Sequence, residues 1–175
     1  MRIVGLDISL TSTGCADWWD GQRRSLSHGR AGKVTDTLRQ RAARIAESAD
    51  DTVDWVMSAH PDRVLVEAHT FAAKGGSQHD RSGLWWTVVG RLIYNDIPVI
   101  EVSPSSLKQF ATGKGNATKD QVLLAVARRH PDIEFTTNDE ADAITLVDIG
   151  LARWDHTLFE PNQIQQKVID KLVWP

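Results

Sequence analysis

Apolar residues in this chain follow two patterns: short unbroken runs, and longer stretches in which they recur at spacings of three and four. The runs Ile3–Leu6 and Val64–Val66 predict strands buried on both faces, and Pro98–Val102 predicts another short strand. Residues 12–19 and 23–30 predict two further strands joined at Asp20-Gly21, a dipeptide that favours a tight hairpin. From Thr35 to about Ser58, Leu38, Ala42, Ile45, Ala49, Val53 and Val56 trace one helical face, and Pro61 stops it. Residues 80–95 predict a helix that is apolar almost all round, carrying Leu84, Trp85, Trp86, Val88, Val89, Leu92 and Ile93. Such a helix has two neighbours to satisfy, for instance a sheet and a second subunit.

Helices are also predicted over Ser103–Ala111, Thr118–His130 and 139–154. Ser103 reads as the cap of the first of these, with Pro104 at its first position. Beyond Pro161, Ile164, Val168, Ile169 and Leu172 share one face of a short amphipathic helix. Hairpin strands, helix, strand, helix, strand and helices, in that order, make an α/β plan: a hairpin extends a sheet continued by parallel strands, five in all. Residues 1–155 read as one domain, with 156–175 as a helical tail that belongs to it or serves as an interaction element. The tail is expected to dock on the body.

Composition narrows the classes only a little. At 175 residues with ordinary apolar and charged content, one domain with a real core is expected. Asp7 interrupts the first apolar run, so no secretory leader is read there, and no segment reaches the length of a membrane span. The single cysteine, Cys15, rules out an intramolecular disulfide and a thiolate metal framework. It reads as a small core residue in a protein of a reducing, cytoplasmic setting. A net charge of −3 and a pI near 6.0 do not advertise nucleic-acid binding, so the placement of the lysines and arginines decides that question. Five tryptophans, Trp18, Trp19, Trp55, Trp85 and Trp86, read as packing.

The chemistry lies in four acids at the edges of apolar segments. Asp7 and Glu67 end the first and fourth predicted strands, where parallel α/β sheets form their crevice. Asp139 and Asp142 lie three apart near the start of the last long helix, on one face. Unpaired buried carboxylates are costly, and a cluster of them calls for hard divalent cations, which take oxygen ligands. Glu140 stands beside Asp139 as a competing ligand. His69 and His79 flank the same region, as metal neighbours or as surface residues of the 69–79 loop.

Four blocks, GLDISLTSTG, VEAHTF, SPSSLKQFATGKGNATKDQV and NDEADAITL, resemble those of the RuvC-type Holliday-junction resolvases of the RNase H-like superfamily. They stand in the family's order and span nearly the whole chain to about Ala152. The resemblance implies an RNase H-like fold and a magnesium-dependent endonuclease that resolves four-way DNA junctions by paired nicks, leaving 5′-phosphate and 3′-hydroxyl ends. It implies Asp7, Glu67, Asp139 and Asp142 as metal-binding catalytic acids holding two Mg²⁺ ions, with Mn²⁺ as a substitute. Lys119 falls on a catalytic basic position and Lys108 on another near the cleaved strand. Phe71 falls on an aromatic that stacks at the junction centre. Lys74, Arg81 and Lys114 read as further DNA contacts. A C2 homodimer, joined through the helix at 80–95, follows from the need for two symmetric cuts. Ile8-Ser9 replaces the family's usual Pro-Gly, a variant associated with bacteriophage-encoded members.

Other readings share these features. GLDISLTSTG also resembles the first phosphate loop of the actin and sugar-kinase superfamily, a fold that needs two related domains. A non-cleaving junction-binding module, and a nuclease of the same fold acting on flaps, forks or RNA-containing hybrids, complete the alternatives.

Overall fold

The computed structural model describes residues 1–69, 78–155 and 159–175. Among them run β1 (Ile3–Asp7), β2 (Thr13–Trp19), β3 (Gln22–His28), α1 (Leu38–Ala59), β4 (Arg63–Glu67), α2 (Gln78–Tyr94), β5 (Val99–Val102), α3 (Pro104–Thr112), α4 (Lys119–Arg129), α5 (Asn138–Trp154) and α6 (Gln163–Ile169). The strands form one mixed sheet in the order β3-β2-β1-β4-β5. The first three pair antiparallel, and β1, β4 and β5 run parallel.

Local sequence explains the element ends. Asp20 and Gly21 both adopt positive φ, the backbone that a tight hairpin with matching strand twist requires. Thr37 and Thr118 form capping boxes with Gln40 and Gln121, and Ser103 caps α3 with Pro104 behind it.

Strand alternation divides the core into two layers. Val4, Leu6, Cys15, Val64 and Val66 face α1 and α2, while Ile3, Ala16, Leu65, Ile100 and Val102 face α3, α4, α5 and α6. Cys15 is fully buried, as expected of a core residue. Helix α5 is the central element of its layer, buried along nearly its whole length. On that helix the fully buried Asp148 binds Arg23 of β3 at 2.7 Å, Arg129 at 3.1 Å and His130 at 2.8 Å. One carboxylate thereby ties the edge strand and the end of α4 to α5.

The tail docks on the body. Val168 and Ile169 sit in the core beside Phe110, and the Gln165 side-chain amide donates to the Phe110 carbonyl at 3.2 Å. Trp174 meets Trp154 edge-on at 4.8 Å and donates to the Ile169 carbonyl.

One feature departs from expectation. Trp19 and Trp86 are half or more exposed, so neither is a core residue, although Arg2 lies over Trp19 and Trp86 meets Trp85 edge-on at 4.8 Å. Helix α2 buries Leu84, Trp85, Val88, Val89 and Leu92 but leaves Trp86, Ile93 and Tyr94 in solvent, because only one of its faces meets the sheet layer.

Candidate active site

The register of two parallel strands starts the site. Leu6 pairs with Val66, so the next residues, Asp7 and Glu67, stand side by side at the carboxyl ends of β1 and β4. Helix α5 crosses β1 and β2 on one face of the sheet and brings Asp142 to the same point. Gly14, opposite Asp7 in the hairpin register, makes that approach feasible: a Cβ there would overlap the Asp139 carbonyl oxygen. Carboxylate oxygens of Asp7, Glu67 and Asp142 lie within 4.8 Å of one another. The loop after β1 is locked by Thr13, whose hydroxyl donates to the Ser9 carbonyl and accepts the Ser9 N–H.

The electrostatics are those of crowded, desolvated acids. Burial, reinforced by the carboxylates of Glu67, Asp142 and Asp139, pushes the Asp7 pKa well above the usual range. Burial together with Asp142 pushes Glu67 up to about 7, against the pull of Lys119 and Lys108. Asp142 is pushed up to about 6, again chiefly by burial. Burial works against the charge on Lys119, but Asp139, Asp7 and Asp142 outweigh it and hold the ammonium pKa above its ordinary value.

Asp139 lines the same cleft, of about 390 Å³, and pairs with the Lys119 ammonium at 3.4 Å. Its neighbour Glu140 points elsewhere. That carboxylate accepts from Ser25 at 3.0 Å and from the hydroxyls of Thr136 and Thr137, so it serves the start of α5 and the edge strand. Lys108 acts electrostatically on both Glu67 and Asp142 from α3. Arg81 lines the cleft from the first turn of α2. Lys114 is exposed in the loop before α4, and its backbone N–H bonds Thr112. His69 lines the cleft, whereas His79 is exposed next to Asp80. Phe71 and Lys74 lie outside the described residues.

Trp85 has a role that composition alone did not reveal. Its buried indole N–H donates to the Glu67 carbonyl at 2.9 Å, fixing the strand end that carries the acid. The all-apolar neighbourhood in the sequence concealed that polar contact.

The donor set fits a divalent cation. Three oxygen donors converge, and desolvation and mutual repulsion destabilise their charges in the metal-free protein, as expected of a site completed by a hard cation. Residues 3–149 match the model of the family described as crossover junction endodeoxyribonuclease RuvC. The crossover junction endodeoxyribonuclease RuvC of Rhizobium johnstonii is 31% identical over 153 residues, covering 83% of this chain and 86% of that protein.

The chain belongs to the RuvC family.

Solved structures agree on the fold. Thermus thermophilus RuvC in complex with a Holliday junction substrate superposes with a TM-score of 0.65 at 22% identity, over 84% of this chain and 90% of that one. The yeast mitochondrial Holliday junction resolvase gives a TM-score of 0.57 at 13% identity, over 94% and 83%. Membership in the RuvC family displaces the sugar-kinase reading of GLDISLTSTG, whose two-domain architecture has no counterpart in the single five-stranded sheet. No helix among the described residues is long and apolar enough to cross a membrane.

Proposed function

We propose that Asp7, Glu67, Asp139 and Asp142 are the catalytic, metal-holding acids with which this RuvC-family endonuclease nicks branched DNA. The chain is a crossover junction endodeoxyribonuclease, a structure-specific enzyme of DNA recombination. The observation that supports the site assignment is the convergence of Asp7, Glu67 and Asp142 from positions far apart in the chain. In this reading Asp139 completes the set, released from Lys119 when substrate arrives.

When bound, Mg²⁺, two ions in this reading with Mn²⁺ as a substitute, supplies an activated water and charge stabilisation at the leaving oxygen, giving 5′-phosphate and 3′-hydroxyl ends. The protein's own groups orient and balance charge. Asp7 and Glu67 hold the strand-end side of the cluster, and Trp85 fixes the backbone of Glu67. Lys119 and Lys108 set positive charge beside the carboxylates, where a phosphate gaining negative charge would be stabilised. Lys114 and Arg81 extend that cationic path along DNA, with Lys74 alongside and Phe71 stacking on an unpaired base.

Two matched cuts across a junction call for two sites related by a twofold axis. Trp86, Ile93 and Tyr94 on the outer side of α2 supply an apolar surface for a homodimer. The reading also takes residues 1–155 as the nuclease domain and 156–175 as part of it, supported by Val168 and Ile169 in the core, and places the enzyme in the cytoplasm.

The test is cleavage of labelled four-way, three-way, flap and linear DNA with Mg²⁺ or Mn²⁺, by the wild type and by Asp7→Asn. The four-way junction should be cut in symmetric pairs by the wild type only, while Asp7→Asn still binds it. An active Asp7→Asn enzyme refutes the site; preference for a flap or for linear DNA refutes the substrate.

A further inference from the structure

A second cleft, of about 510 Å³, opens beside the acidic one. Ser9 and Arg81 line both, so the two adjoin at the loop after β1 and the first turn of α2. The far wall is the 29–37 segment between β3 and α1, which presents Lys33 and Val34, the latter fully exposed.

The floor of this cleft is built from paired charges. The buried Asp80 carboxylate accepts from Arg41 Nε at 2.9 Å and lies 3.5 Å from Arg44, which in turn binds Asp36 at 2.6 Å. The network joins the 29–37 segment, α1 and the start of α2, so the cleft walls are held in fixed relation. It also satisfies both acids of the lining, leaving the cleft positive. Lys33 and Arg81 form no salt bridge among the described residues.

These two cations share the lining with the hydroxyl residues Ser9 and Thr11 and the apolar Leu10 and Val34. That mixture suits a nucleic-acid backbone: cations and hydroxyls take phosphate oxygens, and apolar side chains lie against sugars. Adjacency to the acidic cleft sets the direction, because a strand whose phosphate sits at Asp7 and Glu67 must leave on some side, and the described residues on this side carry two cations.

We propose that this cleft seats the cleaved DNA strand next to the cut, with Lys33 and Arg81 on its phosphates and Val34 against its sugars. The inference rests on the reading of the chain as a branched-DNA nuclease. It adds the 29–37 segment to the substrate path and gives the Asp36–Arg44–Asp80–Arg41 network the task of holding that path open.

The test uses the full chain with a labelled four-way junction in Ca²⁺, under conditions that allow binding without cutting. Lys33→Glu should weaken binding roughly tenfold near 0.1 M salt and flatten the salt dependence by about one ion, the loss expected for one phosphate contact. Its thermal stability should match the wild type, since Lys33 is exposed. Cys15 is buried, so Val34→Cys provides a single reactive thiol for an aryl azide. Photocrosslinks should fall on the cleaved strand within about 5 nucleotides, half a helical turn, of the cut. Unchanged binding and salt slope in Lys33→Glu, or crosslinks confined to other strands, would overturn the proposal. A wild-type protein that neither binds nor cuts the junction would instead sink the underlying nuclease reading.

Discussion

Gly14 lies so close to the Asp139 backbone that the first turn of α5 rests directly on β2, which carries Asp142 over the ends of β1 and β4. Gly14→Ala forces a methyl group into the Asp139 carbonyl and should displace the helix start. Overpacking of this kind costs about 1–3 kcal/mol. Urea denaturation should show that loss, and cleavage should fall further than stability does, because the acids separate. Unaltered cleavage would mean that the helix start is not what positions them.

Neutralising one acid should stabilise the metal-free protein. Glu67 and Asp142 have folded pKa values raised to about 7 and about 6, so the folded state holds protons that the unfolded chain has already released. Stability from these groups is present below the unfolded carboxylate range and is lost as pH rises through the folded values. Thermal melts without metal should therefore fall between about pH 4.5 and 7 more steeply in the wild type than in Asp142→Asn. A tenfold difference in proton affinity between the folded and unfolded chain is worth about 1.4 kcal/mol, so the variant should gain at least that order at pH 7.5. Added Mg²⁺ should raise the wild-type midpoint more at pH 7.5 than at pH 5.5.

Asp148 should behave in the opposite way. Burial alone would raise its pKa, but the hydrogen bond from His130 and the charges of Arg23, His130 and Arg129 prevail and hold it below the usual range. Its contribution is present above the unfolded carboxylate range and lost as pH falls through the depressed folded value. Asp148→Ala takes the shared buried carboxylate from Arg23 and Arg129, both partly exposed, a loss of about 1.5–3 kcal/mol that chemical denaturation would register. The acids of the cleft are not involved, so residual activity should track the folded fraction.

Trp86→Asp places a charge on the exposed side of α2. If that face joins two copies, sedimentation should show monomers, and nicks should appear singly instead of in pairs. The fold should survive, since Trp86 contributes little to the core.

Much of this architecture was legible in the sequence. The runs Ile3–Leu6 and Val64–Val66 marked doubly buried strands, and an acid ending each was conspicuous because burial penalises it. Ser103-Pro104 and Thr118 announced two helix starts through chemistry confined to four residues. What stayed hidden depends on how distant segments meet. Asp139 and Glu140 are chemically alike neighbours, yet successive residues on a helix point about 100° apart. Which of them faces the cleft follows from how α5 lands on Gly14. Trp86 and Trp19 have the composition of core residues, and periodicity does not say which apolar face finds a partner. The Asp36–Arg44–Asp80–Arg41 network joins three segments and leaves no local signature.

The proposed cutting centre draws on both the first strand and the fifth helix, separated by most of the chain. Under the proposed assignment, a ribosome building this protein extrudes Asp7 and Glu67 long before Asp142, so the half-made chain should be unable to cut nearby DNA. Activity should then await the settling of α5 across the sheet, which makes late folding a safety catch.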